Sequence, residues 1–230
     1  MSNSKILEPS EALGNRHTLT MDDSNVSDNQ QYYRSKRPKF ADPAPLGLCS
    51  IAASIFLLSL INLQFRGVKT NNIVLSMAFG FGGVVQFLAG MWEFASGNTF
   101  CATVFSAYGG FWFSFGLILL PGSGIVASYG SSSTELDNAL GFYLFAWFVF
   151  TTIMLIASLK TTVGLVALLF FLDITLLLLG VGKFYPEKEI LTKLGGGFGL
   201  ATSFISWYCG ASILFKAQNL RCKLPDYAIL

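Results

Sequence analysis

From residue 43 onward, long apolar runs alternate with short polar segments, and this pattern predicts six membrane-spanning helices. Each run holds about 20 residues, enough to cross a hydrocarbon layer of about 30 Å at about 1.5 Å per residue. A transmembrane β-strand would show about 9–11 residues of alternating polarity instead. The expected bounds are 46–65, 72–94, 101–120, 139–159, 163–182 and 194–215. The sequence therefore predicts an all-α polytopic membrane protein with six transmembrane helices per protomer.

The amino-acid composition is also typical of a protein embedded in lipid. Hydrophobic residues make up 53% of the chain and charged residues 12%, about half the charged share of a soluble domain. Residues 1–42 are polar and charged, and they have too few apolar side chains to offset the entropy of ordering. We therefore expect a disordered N-terminal tail over 1–42, a membrane domain over 43–216 and a short C-terminal tail over 217–230.

Lysine and arginine placement predicts the orientation. With six spans both termini share one side, and that side carries ten basic residues against five on the other. Basic residues are enriched on the cytoplasmic side of membrane proteins, so both termini are expected in the cytoplasm. The four cysteines then lie in or near the cytoplasmic half and are expected to be free thiols.

Small residues spaced four apart predict faces where helices approach closely in lipid. In the third span these are Ala102, Ser106, Gly110 and Ser114, and in the sixth they are Gly195, Gly199 and Ser203.

Two carboxyl groups fall inside predicted spans, where a charge near the bilayer centre costs at least about 2.5–3.5 kcal/mol. Asp173 lies near the middle of the fifth span, and Glu93 lies near the cytoplasmic end of the second. Either group could carry a proton along a permeation path. Asp173 could equally tie helices together through partners such as Thr175, and Glu93 is close enough to the interface to reach water.

The sequence holds little that indicates enzyme chemistry. It has no phosphate-binding loop and no HExxH motif, and its one histidine, His17, lies in the tail. The cysteines lack zinc-site spacing, and a net charge of +2 is small for a nucleic-acid binder. We expect no catalysis, no cofactor, no metal and no nucleic-acid partner. A small transporter or channel ranks first, a membrane sensor or scaffold second, and an intramembrane enzyme a distant third.

Four separated motifs carry a resemblance to a known family. The first is the signature Asp42-Pro43-Ala44-Pro45-Leu46-Gly47-Leu48, directly before the first span, and the others cover 97–100, 106–112 and 158–160. In this order and spacing they resemble the acetate uptake transporter family, which includes bacterial succinate–acetate permeases and fungal acetate-transport and ammonia-export proteins. The resemblance covers roughly residues 42–215.

The resemblance implies a homohexamer in the lipid bilayer with one path through each protomer. It places a hydrophobic constriction at Ile51, Tyr108 and Leu172, and it places the signature at one mouth of the path. Two positions depart from the family pattern. Asp42 stands where the signature normally has Asn, and Ile51 stands where Phe is usual, which predicts a wider and less aromatic neck.

By this resemblance the chain is expected to be a plasma-membrane transporter of acetate and similar short monocarboxylates. Polar side chains available beside such a path are Gln86, Asn98, Thr99 and Ser106. No lysine or arginine lies deep in a span, which favours passage with a proton or as the neutral acid, with Asp173 and Glu93 as the proton-coupling candidates. Two alternatives stay open: export of ammonia or ammonium, and a sensor or scaffold that carries no flux.

Overall fold

The computed structural model describes residues 41–221, 224, 225 and 227 of the chain. It contains six long helices: α1 (Ala44–Asn62), α2 (Val74–Ser96), α3 (Thr99–Leu119), α4 (Ser133–Ser158), α5 (Val163–Phe184) and α6 (Glu189–Ala217). All six are long and apolar enough to cross a membrane, which confirms the predicted fold class. The predicted disorder of the N-terminal tail concerns residues that, apart from 41 and 42, lie outside the described part, as do His17 and Cys222.

Three helix ends differ from the predicted bounds by three residues or more. α4 begins at Ser133 and α6 at Glu189, rather than at 139 and 194, because both helices continue beyond their apolar stretch into a polar first turn. Each of these first turns carries a glutamate, which is favourable at the positive end of a helix dipole. α1 ends at Asn62 rather than at 65, since Gln64 and Arg66 take positive φ angles of 52° and 54° that a helix cannot contain.

The helices form a closed ring in chain order. α1 packs against α2 and α6, α2 against α3, α4 against α5, and α5 against α6. Glycines allow the close approach along α6, where Gly199 faces Ser59 of α1 and Gly195 faces Leu179 of α5, as predicted. On α3 the prediction was wrong for Gly110, which faces open space. Its neighbour Gly109 packs against Phe87 instead.

The ring closes between α3 and α4 through aromatic side chains rather than glycines. Phe111 of α3 stacks on Tyr143 and meets the edge of Trp147, with ring centroids 5.9 Å and 5.2 Å apart. Tyr108 of α3 packs against Trp147 and Phe150. Such bulky rings hold the two backbones further apart than glycine contacts do, and they leave space inside the ring.

The second helix contains a π-helical turn over Gly80–Val85. A β-carbon at Gly83 would collide with the carbonyl oxygen of Ala78, so this turn requires glycine at that position. A π turn inserts one extra residue into the helix and rotates everything that follows. Gln86, the first residue after the turn, is completely buried.

The largest buried side chains come from α1, α3 and α5. They are Leu48, Ile51, Phe105, Trp112, Leu168 and Leu169.

Candidate functional site

A cavity of about 200 Å³ lies inside the ring of helices. Most of its walls are apolar side chains of α1, α3, α4 and α5, among them Ile55, Leu58, Phe115, Leu119, Leu144 and Leu176. Its polar lining includes Asn62, Asn71, Lys183 and Thr192, which lie at or beside the helix ends joined by the loops 63–73 and 185–188. The cavity thus extends from the middle of the bundle toward the end opposite the first residue of α1.

The three residues predicted to form the constriction line this cavity together. Ile51 comes from α1, Tyr108 from α3 and Leu172 from α5, and each is at most 5% exposed. All three lie in the middle of their helices, so they occupy the deep end of the cavity. The structure thus brings together three residues from three separate helices that are far apart in the sequence.

Among the described residues that line the cavity, Lys183 is the cation at the mouth, and it is already paired. Lys183 in the last turn of α5 contacts Asp137 of α4, with Nζ and Oδ1 3.1 Å apart. The pair is partly exposed, so it contributes little stability, but it neutralises the positive charge nearest to the cavity.

Tyr108 is held from outside the cavity by a residue that the sequence did not single out. Its hydroxyl lies 2.7 Å from Oγ1 of Thr151, and the Thr151 hydroxyl donates to the carbonyl oxygen of Trp147 at 2.7 Å. Thr151 has one hydrogen to give, so the Tyr108 hydroxyl is the donor of the first bond. The signal that could have found Thr151 is the pair of adjacent threonines in the middle of an otherwise apolar span.

Asp173 lies beside the cavity but not in its lining. Its Oδ1 lies 3.0 Å from Oγ1 of Thr152 on α4. The prediction that Thr175 is a partner of Asp173 is wrong, because the Thr175 hydroxyl donates to the carbonyl oxygen of Phe171 in its own helix. Asp173 therefore ties α5 to α4, whatever part it has in proton movement.

A second group of polar side chains is buried between α1, α2 and α3. Glu93 is 2% exposed and Gln86 is fully buried. In the described part of the chain, Glu93 Oε1, both amide atoms of Gln86 and the hydroxyls of Ser54 and Ser106 have no hydrogen-bond partner. Such unpaired atoms are rare in folded proteins, where water or a ligand usually satisfies them. Two of the predicted polar candidates, Gln86 and Ser106, are in this group, yet neither lines the cavity.

Asn98 and Thr99 have a local role in the structure. The side chain of Asn98 caps α3 by accepting from the backbone N–H of Cys101 at 3.2 Å. The carbonyl oxygen of Thr99 accepts from the Thr103 hydroxyl at 2.8 Å. Both residues are exposed at the helix end where α2 turns into α3, and neither reaches the cavity.

The signature segment forms the start of α1. Asp42 accepts from the backbone N–H of Ala44 at 2.9 Å, and Pro45 sits in the first turn, where a missing N–H does no harm. A β-carbon at Gly47 would lie 2.6 Å from the ring of Phe105, so this glycine allows α1 to approach α3. Leu46 is exposed and Leu48 is buried. None of the signature residues lines the cavity.

Residues 26–229 match the model of the GPR1/FUN34/yaaH family. The chain is 47% identical over 192 residues to acetate permease A of Emericella nidulans, covering 79% of this chain and 64% of the relative. It is 40% identical over 191 residues to ammonia transport outward protein 2 of Saccharomyces cerevisiae, covering 83% of this chain and 67% of the relative. The chain thus spans about two thirds of the length of these relatives.

A solved structure, described as that of the bacterial acetate channel SatP, has the same fold. It superposes with a TM-score of 0.71 at 29% sequence identity, and the match covers 81% of this chain and 100% of the bacterial one.

Proposed function

Because this chain belongs to the GPR1/FUN34/yaaH family, we propose that it transports acetate and related short monocarboxylates across the plasma membrane. The observation that carries the proposal is the meeting of Ile51, Tyr108 and Leu172, from three different helices, at the deep end of one apolar cavity. The similarity to an acetate permease and to a bacterial acetate channel supports the choice of substrate.

The proposed path has three parts. A substrate enters the cavity at the end that holds Lys183 and Thr192, passes the neck of Ile51, Tyr108 and Leu172, and leaves along the buried polar group near Glu93. A short carboxylic acid is half apolar and half polar, so an apolar neck between two regions with polar groups suits it. The unpaired atoms of Gln86 and Ser106 would offer hydrogen bonds after the neck.

Proton coupling follows from the charges along this path. No lysine or arginine of the described residues lies at the neck, and Lys183 at the mouth is paired with Asp137. An acetate anion would therefore lose its hydration at the neck without gaining a cation, which is costly. Passage with a proton removes this cost, and Asp173 and Glu93 are the proton-carrying candidates.

Orientation and assembly complete the proposal. The basic bias of the sequence puts both termini in the cytoplasm, so the cavity mouth beside Lys183 faces outward. Since the whole cavity lies within one protomer, a homohexamer would hold six independent paths.

The test is uptake of labelled acetate into proteoliposomes at a series of external pH values. Leu172→Phe adds bulk at the neck and should lower uptake, because a pathway of smaller diameter passes less substrate. Leu214→Phe is the matched control, because Leu214 is exposed on α6 far from the cavity. Equal uptake by the two variants would contradict a path through this neck.

The same vesicles test the rival functions. Similarity to an ammonia transport outward protein favours ammonia or ammonium as the second substrate candidate. An ammonium gradient across vesicles that contain a pH dye would then change the internal pH if the protein carries ammonia or ammonium, and this measurement needs no acetate. If neither solute moves, the result contradicts both transport functions and favours the sensor or scaffold alternative.

A further inference from the structure

Two adjacent threonines in the C-terminal half of α4 lie beside the neck, outside the cavity: Thr151 contacts the neck residue Tyr108, and Thr152 contacts Asp173, the residue next to Leu172. Thr151 is completely buried, and neither Thr151 nor Thr152 lines the cavity. Building on the proposed function, we propose that this threonine pair positions two of the three neck residues, Tyr108 and Leu172, and so sets which acids pass.

The first half of the pair acts on Tyr108. The tyrosine ring lines the cavity while its hydroxyl donates to Thr151. The Thr151 hydroxyl is fixed in turn, because it donates to the carbonyl oxygen of Trp147 one helical turn earlier. Trp147 also stacks against the Tyr108 ring, with centroids 6.0 Å apart. Two contacts from one turn of α4 thus determine where the ring stands in the neck.

The second half of the pair acts on α5. The Thr152 hydroxyl lies 3.0 Å from Asp173 Oδ1 and 3.0 Å from the carbonyl oxygen of Phe148. An ionised Asp173 accepts from Thr152, whereas a protonated one donates to Thr152, which then donates to Phe148. The contact therefore persists in both protonation states. It fixes the rotation of α5 at the residue next to Leu172, which keeps Leu172 directed into the cavity.

The position of the pair makes it a determinant of selectivity rather than a binding site. Adjacent residues on a helix point about 100° apart, so Thr151 and Thr152 can reach α3 and α5 respectively from a single turn. Losing the Thr151 hydroxyl would leave the buried Tyr108 hydroxyl without its bond, and losing the Thr152 hydroxyl would leave the partly buried Asp173 without its bond to α4, so either partner would be free to move.

Transport selectivity is the first test. Thr151→Val keeps the shape and removes the hydroxyl, and we expect the ratio of lactate to acetate uptake to rise about twofold or more, the factor that corresponds to the loss of one ordinary hydrogen bond. Thr151→Ser should restore the wild-type ratio. In a Tyr108→Phe background, Thr151→Val should change nothing further, because its effect passes through the tyrosine hydroxyl. An added effect in that background would overturn the proposal for Thr151. Thr152→Val should raise the ratio similarly, and an unchanged ratio there would overturn the proposal for Leu172.

Thr202→Val is the matched control. Thr202 is a fully buried threonine of α6 whose hydroxyl donates to a carbonyl oxygen four residues earlier, at 3.0 Å, as Thr151 does. It does not line the cavity, so its loss should leave the lactate-to-acetate ratio at the wild-type value.

A second measurement does not depend on transport. Carbon-13 labelling at tyrosine Cζ gives an NMR signal for Tyr108 that Tyr108→Phe identifies. Thr151→Val should shift this signal, while Thr151→Ser and Thr202→Val should not. If the wild-type vesicles carry no acid, the proposed function fails, and the NMR comparison still decides whether Thr151 positions Tyr108. An unshifted signal in Thr151→Val would refute the positioning of Tyr108.

Discussion

Replacing Gly47 by alanine should wedge α1 away from α3. A β-carbon at Gly47 would lie 2.6, 2.7 and 2.8 Å from three carbons of the Phe105 ring, whereas carbon atoms in contact prefer about 3.5–4.0 Å. Phe105 is 1% exposed, so its ring is enclosed by neighbouring side chains. The two helices must therefore separate by about 1 Å to restore ordinary contact.

The size of the effect follows from two opposing terms. Overpacking a well-packed interior costs about 1–3 kcal/mol. Alanine in place of glycine within a helix stabilises the helix by up to about 1 kcal/mol, because alanine has the higher helix propensity. Gly110→Ala is the matched control because a β-carbon at Gly110 meets nothing within 4 Å. Both variants gain helix propensity, so the difference between their free energies of unfolding reports mainly the overpacking. Gly47→Ala should be less stable than Gly110→Ala by about 1–3 kcal/mol.

Reversible unfolding in mixed detergent micelles measures this difference, and transport reports its effect on the neck. Ile51 lies one turn after Gly47, and Tyr108 lies three residues after Phe105, so separating the helices also widens the neck. Gly47→Ala should therefore admit larger acids than the wild type. Trimming the ring with Phe105→Leu should offset part of the loss in the double variant, a non-additivity expected for residues in contact. Equal stability of Gly47→Ala and Gly110→Ala would refute the packing argument.

Three further predictions concern the path and its orientation. Leu172→Ala should raise lactate uptake relative to acetate because it removes bulk at the neck, and Ile51→Phe should lower it; unchanged ratios in both variants would place the neck elsewhere. Asp173→Asn keeps the side-chain size and removes the titration, so it should flatten the dependence of acetate uptake on external pH, and an unaltered pH profile would assign Asp173 a structural role only. An impermeant thiol reagent outside intact cells should label Ser131→Cys, in the exposed loop between α3 and α4, but not the native Cys222. Labelling of Cys222 but not of Ser131→Cys would contradict the predicted orientation.

The sequence by itself determined the number of helices and their approximate positions. A helix that crosses lipid must be apolar for its whole length, because hydrocarbon cannot hydrate polar groups, so each span stands out from the loops. The family motifs added the three residues Ile51, Tyr108 and Leu172, which the structure brings to one cavity. Polar first turns such as that at Glu189 escaped this signal, since they are helical without being apolar.

Only the tertiary structure decided which side of each helix faces inward. A span that is apolar on all sides has no polar face to mark its rotation, so the pattern could not separate the packed Gly109 from the exposed Gly110. The π turn before Gln86 changes the rotation again within one helix. For the same reason the pair of adjacent threonines could draw attention to Thr151 but could not identify Tyr108 as its partner. A hydrogen bond between two helices depends on how both are rotated, and the sequence of one span does not show that.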